Sequence, residues 1–302
     1  MMKLALGPVL YYWARDTLLD FYEEITTTPV DIVYLGETVC SRRHNLRLQD
    51  WLDVATKLAD AGKQVVFSTQ VLIESESDLK SLRNIADNGS FMVEANDMGA
   101  VHLLAGKAPF VAGPHLNVYN DRSLNLLAAL GAQRWVTPPE MSGAMLAPIQ
   151  RMRPAGMETE VFVYGRLPLA FSARCFTARA HNLPKDDCQF RCLDYPNGLS
   201  MRTREDQPFL VLNGIQTQSA RTYNLIGELD SIRNMGVNVL RISPQIAHSA
   251  KIISLFRTCM DQPCDSHAST LQQMEKLMPD GMCDGYWRGN AGLEQSHISS
   301  KI

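Results

Sequence analysis

The sequence predicts an α/β fold: a (β/α)8 TIM-barrel-like domain with a Cys-rich excursion after its seventh strand. Three observations lead there. Short β-branched or aromatic runs alternate with amphipathic helical stretches, the rhythm of βα units around a parallel sheet. Eight such runs are present, the number that closes a barrel. The length of 302 residues suits a barrel of about 250 residues carrying an insertion. An open doubly wound sheet is the competing topology, but no G-x-G-x-x-G follows a strand, which weakens its dinucleotide-binding version.

The strand candidates are residues 4–10, 31–35, 64–68, 91–94, 109–112, 134–137, 158–164 and 237–242. Between them, a helix opens at 17–22, and 50–61 gathers Trp51, Leu52, Val54, Ala55, Leu58 and Ala59 on one broad face. Residues 77–88, 98–105, 121–130 and 142–152 continue the pattern. Asp50, Ser77, Asp97, Asp121 and Ser142 stand where N-caps belong, because their side-chain oxygens can accept from free backbone amides. Gly62, Gly89, Gly106 and Gly131 stand where helices end. Residues 221–235 and 248–260 are expected to be the helices on either side of the last strand.

The rhythm breaks between residues 166 and 208, a polar stretch rich in Arg and Pro that holds three Cys. Residues 209–212 look like a ninth strand and are assigned to the flank of this excursion. The expected organisation is seven βα units over 1–165, the excursion over 166–208, barrel closure over 209–260, and a tail over 261–302 packed on the barrel.

Composition narrows the function classes. The chain is 45% hydrophobic and carries a net charge of −3, so dominant disorder is excluded and no basic excess points to nucleic acid. No run of 18 apolar residues exists, so no transmembrane helix is expected. Lys3 and the apolar residues after it resemble a signal peptide, but Gly7-Pro8 interrupts the run and Tyr11, Tyr12 and Trp13 follow it. A cytoplasmic, reducing setting is expected, where thiols stay free.

Seven Cys are too sparse for a disulfide scaffold. Cys175, Cys188 and Cys192 lie on the excursion, which leaves the C-terminal end of the seventh strand; Cys40 follows the second strand. In a parallel barrel these ends share one rim, so the four thiols can converge. Structural zinc sites favour two C-x2–4-C pairs, and only Cys188 and Cys192 form one. Scattered ligation favours an iron–sulfur cluster, with zinc or inert thiols as the alternatives. Arg174, Arg179, Lys185 and Arg191 are the cations expected to offset thiolate charge. Cys259 and Cys264 fit the role of small buried hydrophobes better than the other five.

Polar residues also follow the strands, where barrel enzymes place their chemistry: Glu37, Ser68, Thr69, Glu94, Asn96, Asp97, His115, Asn117, Glu140, Arg241 and Ser243. Glu37, His115 and Glu140 are the catalytic candidates, since together they could transfer protons. His44, His102, His181, His248, His267 and His297 read as surface residues. Neither G-x-S-x-G nor H-E-x-x-H is present, which argues against hydrolases of those types.

Several motifs carry a family resemblance: Leu6-Gly7-Pro8-Val9-Leu10-Tyr11-Tyr12-Trp13, Tyr34-Leu35-Gly36-Glu37-Thr38-Val39-Cys40-Ser41-Arg42-Arg43 and Pro168-Leu169-Ala170-Phe171-Ser172-Ala173-Arg174-Cys175-Phe176-Thr177-Ala178-Arg179. Tyr195-Pro196-Asn197-Gly198, Leu212-Asn213-Gly214-Ile215-Gln216-Thr217 and Cys283-Asp284-Gly285-Tyr286-Trp287 belong with them. Together they resemble the collagenase-like peptidase family, in its non-peptidase, ubiquinone-biosynthesis branch (the UbiV type). The chain keeps the family's Glu160-Val161-Phe162-Val163-Tyr164-Gly165 stretch but has Pro168 where a signature Cys falls, and it retains the next one as Cys175. The resemblance implies that Cys40 replaces the missing ligand, so that Cys40, Cys175, Cys188 and Cys192 bind a 4Fe-4S cluster. It implies a heterodimer with UbiU, the lipid-binding protein UbiT as accessory partner, and oxygen-independent ring hydroxylation of a ubiquinone precursor. Prephenate is the hydroxyl donor it implies. Cys283 matches the branch pattern without an assigned role. A zinc-stabilised binding or scaffold subunit, and then a peptidase, are the competing functions.

Overall fold

Parallel pairing closes on itself in the computed structural model, which describes residues 2–262 and 267–295. The barrel comprises β1 (Lys3–Leu6), β2 (Ile32–Leu35), β3 (Gln64–Ser68), β4 (Met92–Ala95), β5 (Phe110–Ala112), β6 (Ala132–Val136), β7 (Glu158–Phe171) and β11 (Val239–Ile242). Each pairs in parallel with the next, and β11 pairs with both β1 and β7. The (β/α)8 barrel is therefore present.

Outside the strands lie α1 (Arg15–Thr26), α2 (Leu48–Asp60), α3 (Glu76–Ala86), α4 (Met98–Leu104), α5 (Asp121–Ala129) and α6 (Gly143–Met152). Helix α1 shows how each is held. Leu18, Phe21, Tyr22 and Ile25 recur at helical spacing and are all buried against the barrel wall.

The pleat sorts side chains between two cores. Val33 and Leu35 face outward into the large core under the helices, while Ile32 and Tyr34 face inward with Ala5, Val66, Val111, Val136 and Val239. The same alternation puts Glu94, Arg134, Glu160 and Arg241 inside. Ala5 stands in register with Arg241, and its small side chain leaves room for the guanidinium.

After β7 the chain makes α7 (Phe176–Ala180) and the antiparallel strands β8 (Leu199–Arg202), β9 (Pro208–Asn213) and β10 (Gln216–Asn224). β10 pairs with the outer half of β7, then β9 with β10 and β8 with β9, so the excursion is a sheet grown on one barrel strand. The chain returns through α8 (Leu229–Asn234) to β11, and continues as α9 (Ser249–Asp261), α10 (His267–Glu275), β12 (Met282–Cys283) and α11 (Gly285–Arg288). β12 pairs in parallel with β10.

Several sequence expectations need correction. β1 ends at Leu6, because Gly7-Pro8 turns the chain and the second residue has no amide to donate. β7 runs on to Phe171, held by its antiparallel pairing with β10. Residues 221–224 belong to β10 rather than to a helix, since β-pairing on both sides overrides their local preference. The N-caps before α2, α3 and α5 are Arg47, Ser75 and Asn120, and Asp50 instead accepts from the amide of Arg47 at 2.7 Å. Asp97 and Ser142 cap as expected. Residues 209–212 do form a strand of the excursion, and the glycines after the helices sit at positive φ. Cys259 is buried in the core under α9. Cys264, His297 and the side chain of His267 lie outside the described residues. No helix among the described residues is long and apolar enough to cross a membrane.

Candidate functional site

The second βα loop begins with a constraint. Gly36 has φ +121°, and a Cβ there would meet the carbonyl oxygen of Ser68 at 2.7 Å. Only glycine lets the chain pass this close to β3. The loop then folds onto its own carboxylate: Glu37 Oε1 accepts from the amides of Val39 at 2.9 Å and Cys40 at 3.0 Å. This orients Cys40, which packs with Leu10, Val39 and Ile215, joined by Leu72, Phe171 and Cys175. Residues from the first three βα loops, the end of β7 and the excursion thus meet at one point.

Arg43 ties these segments together. Its guanidinium donates to the carbonyl of Leu10 at 2.8 Å and to Asn213 Oδ1 at 2.7 Å, and lies 3.5 Å from Glu37. It lies 5.5 Å from the centre of the Tyr12 ring, and its charge acts on Cys192. Burial works against its charge, but Glu37, Cys192 and Cys40 overcome that and hold its pKa above the usual value.

The excursion delivers the other thiols. Cys175 is the N-cap of α7, with Sγ accepting from the amide of Ala178 at 3.4 Å. Cys188 and Cys192 flank a reversal in which Gln189 and Phe190 both take φ +51°. This left-handed conformation is costly for a bulky side chain and is held by the surrounding turns. Arg42 donates to the carbonyl of Asp186 at 2.6 Å, and Lys185 pairs with Glu74, so loops after β2 and β3 fasten the turn that precedes Cys188.

Burial pushes the Cys40 thiol up to about 11 and that of Cys192 also upward, with Arg43 opposing both shifts. Cys175 acts as a like charge on each of them. The expected cations Lys185 and Arg191 are instead engaged by Glu74 and Asp194, and the charge of Arg43 acts on Cys40 and Cys192. Among the described residues no group of three or more His, Cys, Asp or Glu stands in metal-holding geometry. The donor chemistry nevertheless fits a soft, thiophilic centre: Cys40 and Cys175 pack together as free thiols, and Cys188 and Cys192 lie on the neighbouring fastened turn.

Next to the thiols is the barrel mouth. Arg241 Nε donates to Glu160 at 2.5 Å, while another guanidinium nitrogen lies 2.7 Å from Glu94. Tyr34 donates to Glu160 at 2.5 Å, and its ring lies 4.0 Å from the Arg241 guanidinium. Arg134 completes the network through Tyr34 at 3.0 Å and Glu158 at 2.6 Å. Above it is a cavity of about 40 Å³ bordered by Asn96, Pro114, His115, Pro139, Phe162 and Arg241, room for a molecule the size of water. The buried oxygens Asn96 Oδ1 and Thr38 Oγ1 have no hydrogen-bond partner among the described residues. The ring of His115 meets Phe171 edge-on, with centroids 4.8 Å apart, and Phe171 packs into the cysteine cluster. One aromatic side chain therefore separates mouth and thiols.

The three proton-transfer candidates occupy different places. Glu37 shapes the Cys40 loop, and His115 borders the mouth, where burial and Arg241 push its pKa down to about 3. Glu140 accepts from the Tyr119 hydroxyl at a more exposed position that does not line that cavity. The sequence reading missed Arg43, Tyr12, Tyr34, Arg134 and Glu160. Arg134 and Glu160 carried a signal, as charged residues inside apolar strand patterns.

Two proteins named tRNA hydroxylation protein P, from two strains of Helicobacter pylori, resemble the chain. One is 26% identical over 212 residues, covering 62% of this chain and 48% of the relative. The other is 25% identical over 287 residues, covering 85% and 66%. The chain thus spans about half the length of the first and about two thirds of the second. A sialic acid aldolase from Aliivibrio salmonicida shares the fold, with a TM-score of 0.50 and 10% identity over 92% of this chain and 79% of that one. The U32 peptidase Mk0906 aligns with a TM-score of 0.43 and 14% identity over 81% of this chain and 93% of its own. The sequence profile of peptidase family U32 matches residues 20–297. The chain belongs to peptidase family U32.

Proposed function

We propose that this chain is an iron–sulfur subunit of an oxygen-independent hydroxylation system acting on ubiquinone precursors in the cytoplasm, of the UbiV type. In this reading it pairs with UbiU, receives its lipid substrate through UbiT, and works with prephenate as hydroxyl donor. The observation that carries the proposal is the meeting of Cys40 with Cys175 in one cluster, 135 positions apart in the chain. The hydroxylation named in the two Helicobacter pylori relatives supports the reaction class.

Cys40, Cys175, Cys188 and Cys192 would hold the cluster. Once bound, it would supply one-electron transfer beside the barrel mouth. The protein's own residues prepare that position. Glu37 aims the Cys40 loop, and Arg43 supplies positive charge next to thiolates. Phe171 and His115 wall off the mouth, where the Arg241 network presents fixed charges beside a cavity of about 40 Å³.

Purification of the full chain without oxygen tests the proposal. A brown protein with broad visible absorption and matching iron and sulfide content is the expected result. A colourless protein with stoichiometric zinc would replace it with the scaffold function. Cleavage of peptides by metal-free protein would replace it with a peptidase.

A further inference from the structure

Helix α6 has two opposite sides of apolar residues. Leu146 and Ile149 are buried against the barrel, while Ala144, Met145, Pro148, Arg151 and Met152 are exposed on the outer side. Met145, Pro148 and Met152 follow one another at spacings of three and four, so they form one stripe about 10 Å long. The two methionines are 47% and 59% exposed. On the preceding barrel helix, α5, Leu126 is also 59% exposed.

Charge sets this face apart and narrows its occupant. Helix α1 exposes Arg15, Asp16, Asp20, Glu23 and Glu24, a surface suited to water. Helix α6 carries one charged residue, Arg151. Surface with Met and Arg and without carboxylates is the composition of a protein interface. One cation gives little attraction to an anionic bilayer. The ends of the helix are complementary to each other. Glu140 stands exposed just before the N-terminal end, where it accepts from Tyr119, and Arg151 stands near the C-terminal end. Neither has an ion-pair partner among the described residues. Two copies packed with their α6 helices antiparallel about a two-fold axis bring each Arg151 to the other copy's Glu140 end. The same packing sets the Met145 end of one stripe against the Met152 end of the other. A parallel arrangement would set Arg151 against Arg151, a repulsive contact.

We infer that this chain forms a two-fold homodimer through α6, with the methionine stripes packed together and an Arg151–Glu140 pair closing each end. One helix pair buries less than the roughly 800 Å² per subunit of a standard interface, so the dimer is weak and depends on concentration. The contact does not use the loops that carry the thiols, and the inference stands apart from the hydroxylation reading.

The test is sedimentation of the full chain at rising protein concentration, where the mass should climb from monomer toward dimer. Met152→Glu should weaken the dimer about tenfold or more, because it places an unpaired carboxylate in the apolar contact. Arg151→Glu and Glu140→Arg should each weaken it as well. An equimolar mixture of those two variants should restore it, since the mixed pair regains opposite charges at both ends. Circular dichroism checks that each variant is folded. A chain that stays monomeric at every concentration would overturn the inference, including one whose Met152-dependent binding is to UbiU or to phosphatidylglycerol vesicles instead. A dimer unaffected by Met152→Glu would also overturn it, as would a variant mixture that fails to recover.

Discussion

Arg43 donates to Asn213 Oδ1 at 2.7 Å, joining residues 170 positions apart and fastening the second βα loop to the excursion hairpin. Both side chains are buried, and Asn213 also donates to the carbonyl of Leu10 at 2.7 Å. The cysteine site is thus assembled by polar contacts as much as by packing.

Removing that contact should loosen the site and the fold together. Arg43→Met leaves Glu37 in the interior without its cation, which costs about 3–5 kcal/mol for a buried pair. Asn213→Ala should cost about 1–3 kcal/mol through unsatisfied partners. Urea unfolding of the single and double variants is expected to show strong coupling; additive losses would mean that the two residues act separately.

Cysteine replacements should separate ligands from core packing. Cys40→Ser is expected to lower the iron bound per chain, and Cys175→Ser should do the same. Cys259→Ser, in the core under α9, should retain iron and lose stability instead. Full iron content in the Cys40 variant would remove it from the ligand set.

Glu160 anchors the charge network inside the barrel, with Arg241 and Tyr34 each at 2.5 Å. Glu160→Gln keeps the shape but leaves Arg241 with Glu94 as its remaining carboxylate. A loss of about 3–5 kcal/mol in denaturant unfolding is expected, the cost of breaking a buried ion pair from one side. A loss below about 1 kcal/mol would show that water or relaxation replaces the carboxylate.

His115 makes stability depend on pH. An unfolded imidazole takes up a proton near 6.5, whereas the folded one does so only near 3, because burial and Arg241 disfavour the charge. Its contribution is therefore complete above about 6.5 and is lost as the pH falls from there toward 3. Unfolding free energies across that window should fall less steeply in His115→Gln than in the parent. Parallel curves would assign the acid sensitivity to other groups.

Much of the architecture was legible in the chain. Period-2 and period-3.6 patterns record which face of each element meets the core, so the strands β2 to β7 and the helices between them could be read with shifts at their ends. The excursion was visible as a break in that rhythm, and Cys40 could be placed on the same rim as Cys175, which it meets in the fold, because parallel strands end on one rim.

The rest depended on contacts between remote segments. Residues 221–224 became the end of β10 instead of the start of a helix because β7 and β12 pair with that end on its two edges. Asp50, an expected cap, became the partner of Arg15 at 2.8 Å. Glu37, His115 and Glu140 looked alike in sequence, each a polar residue after a strand, but were separated by the depth and direction of their loops. Arg43 became a cation of the cysteine site only because Tyr12, Asn213 and Glu37 converge on it. Local patterning determines which side of a strand or helix is buried. The partner of a charge is decided by energies that act across space, and these exist only once the barrel has closed.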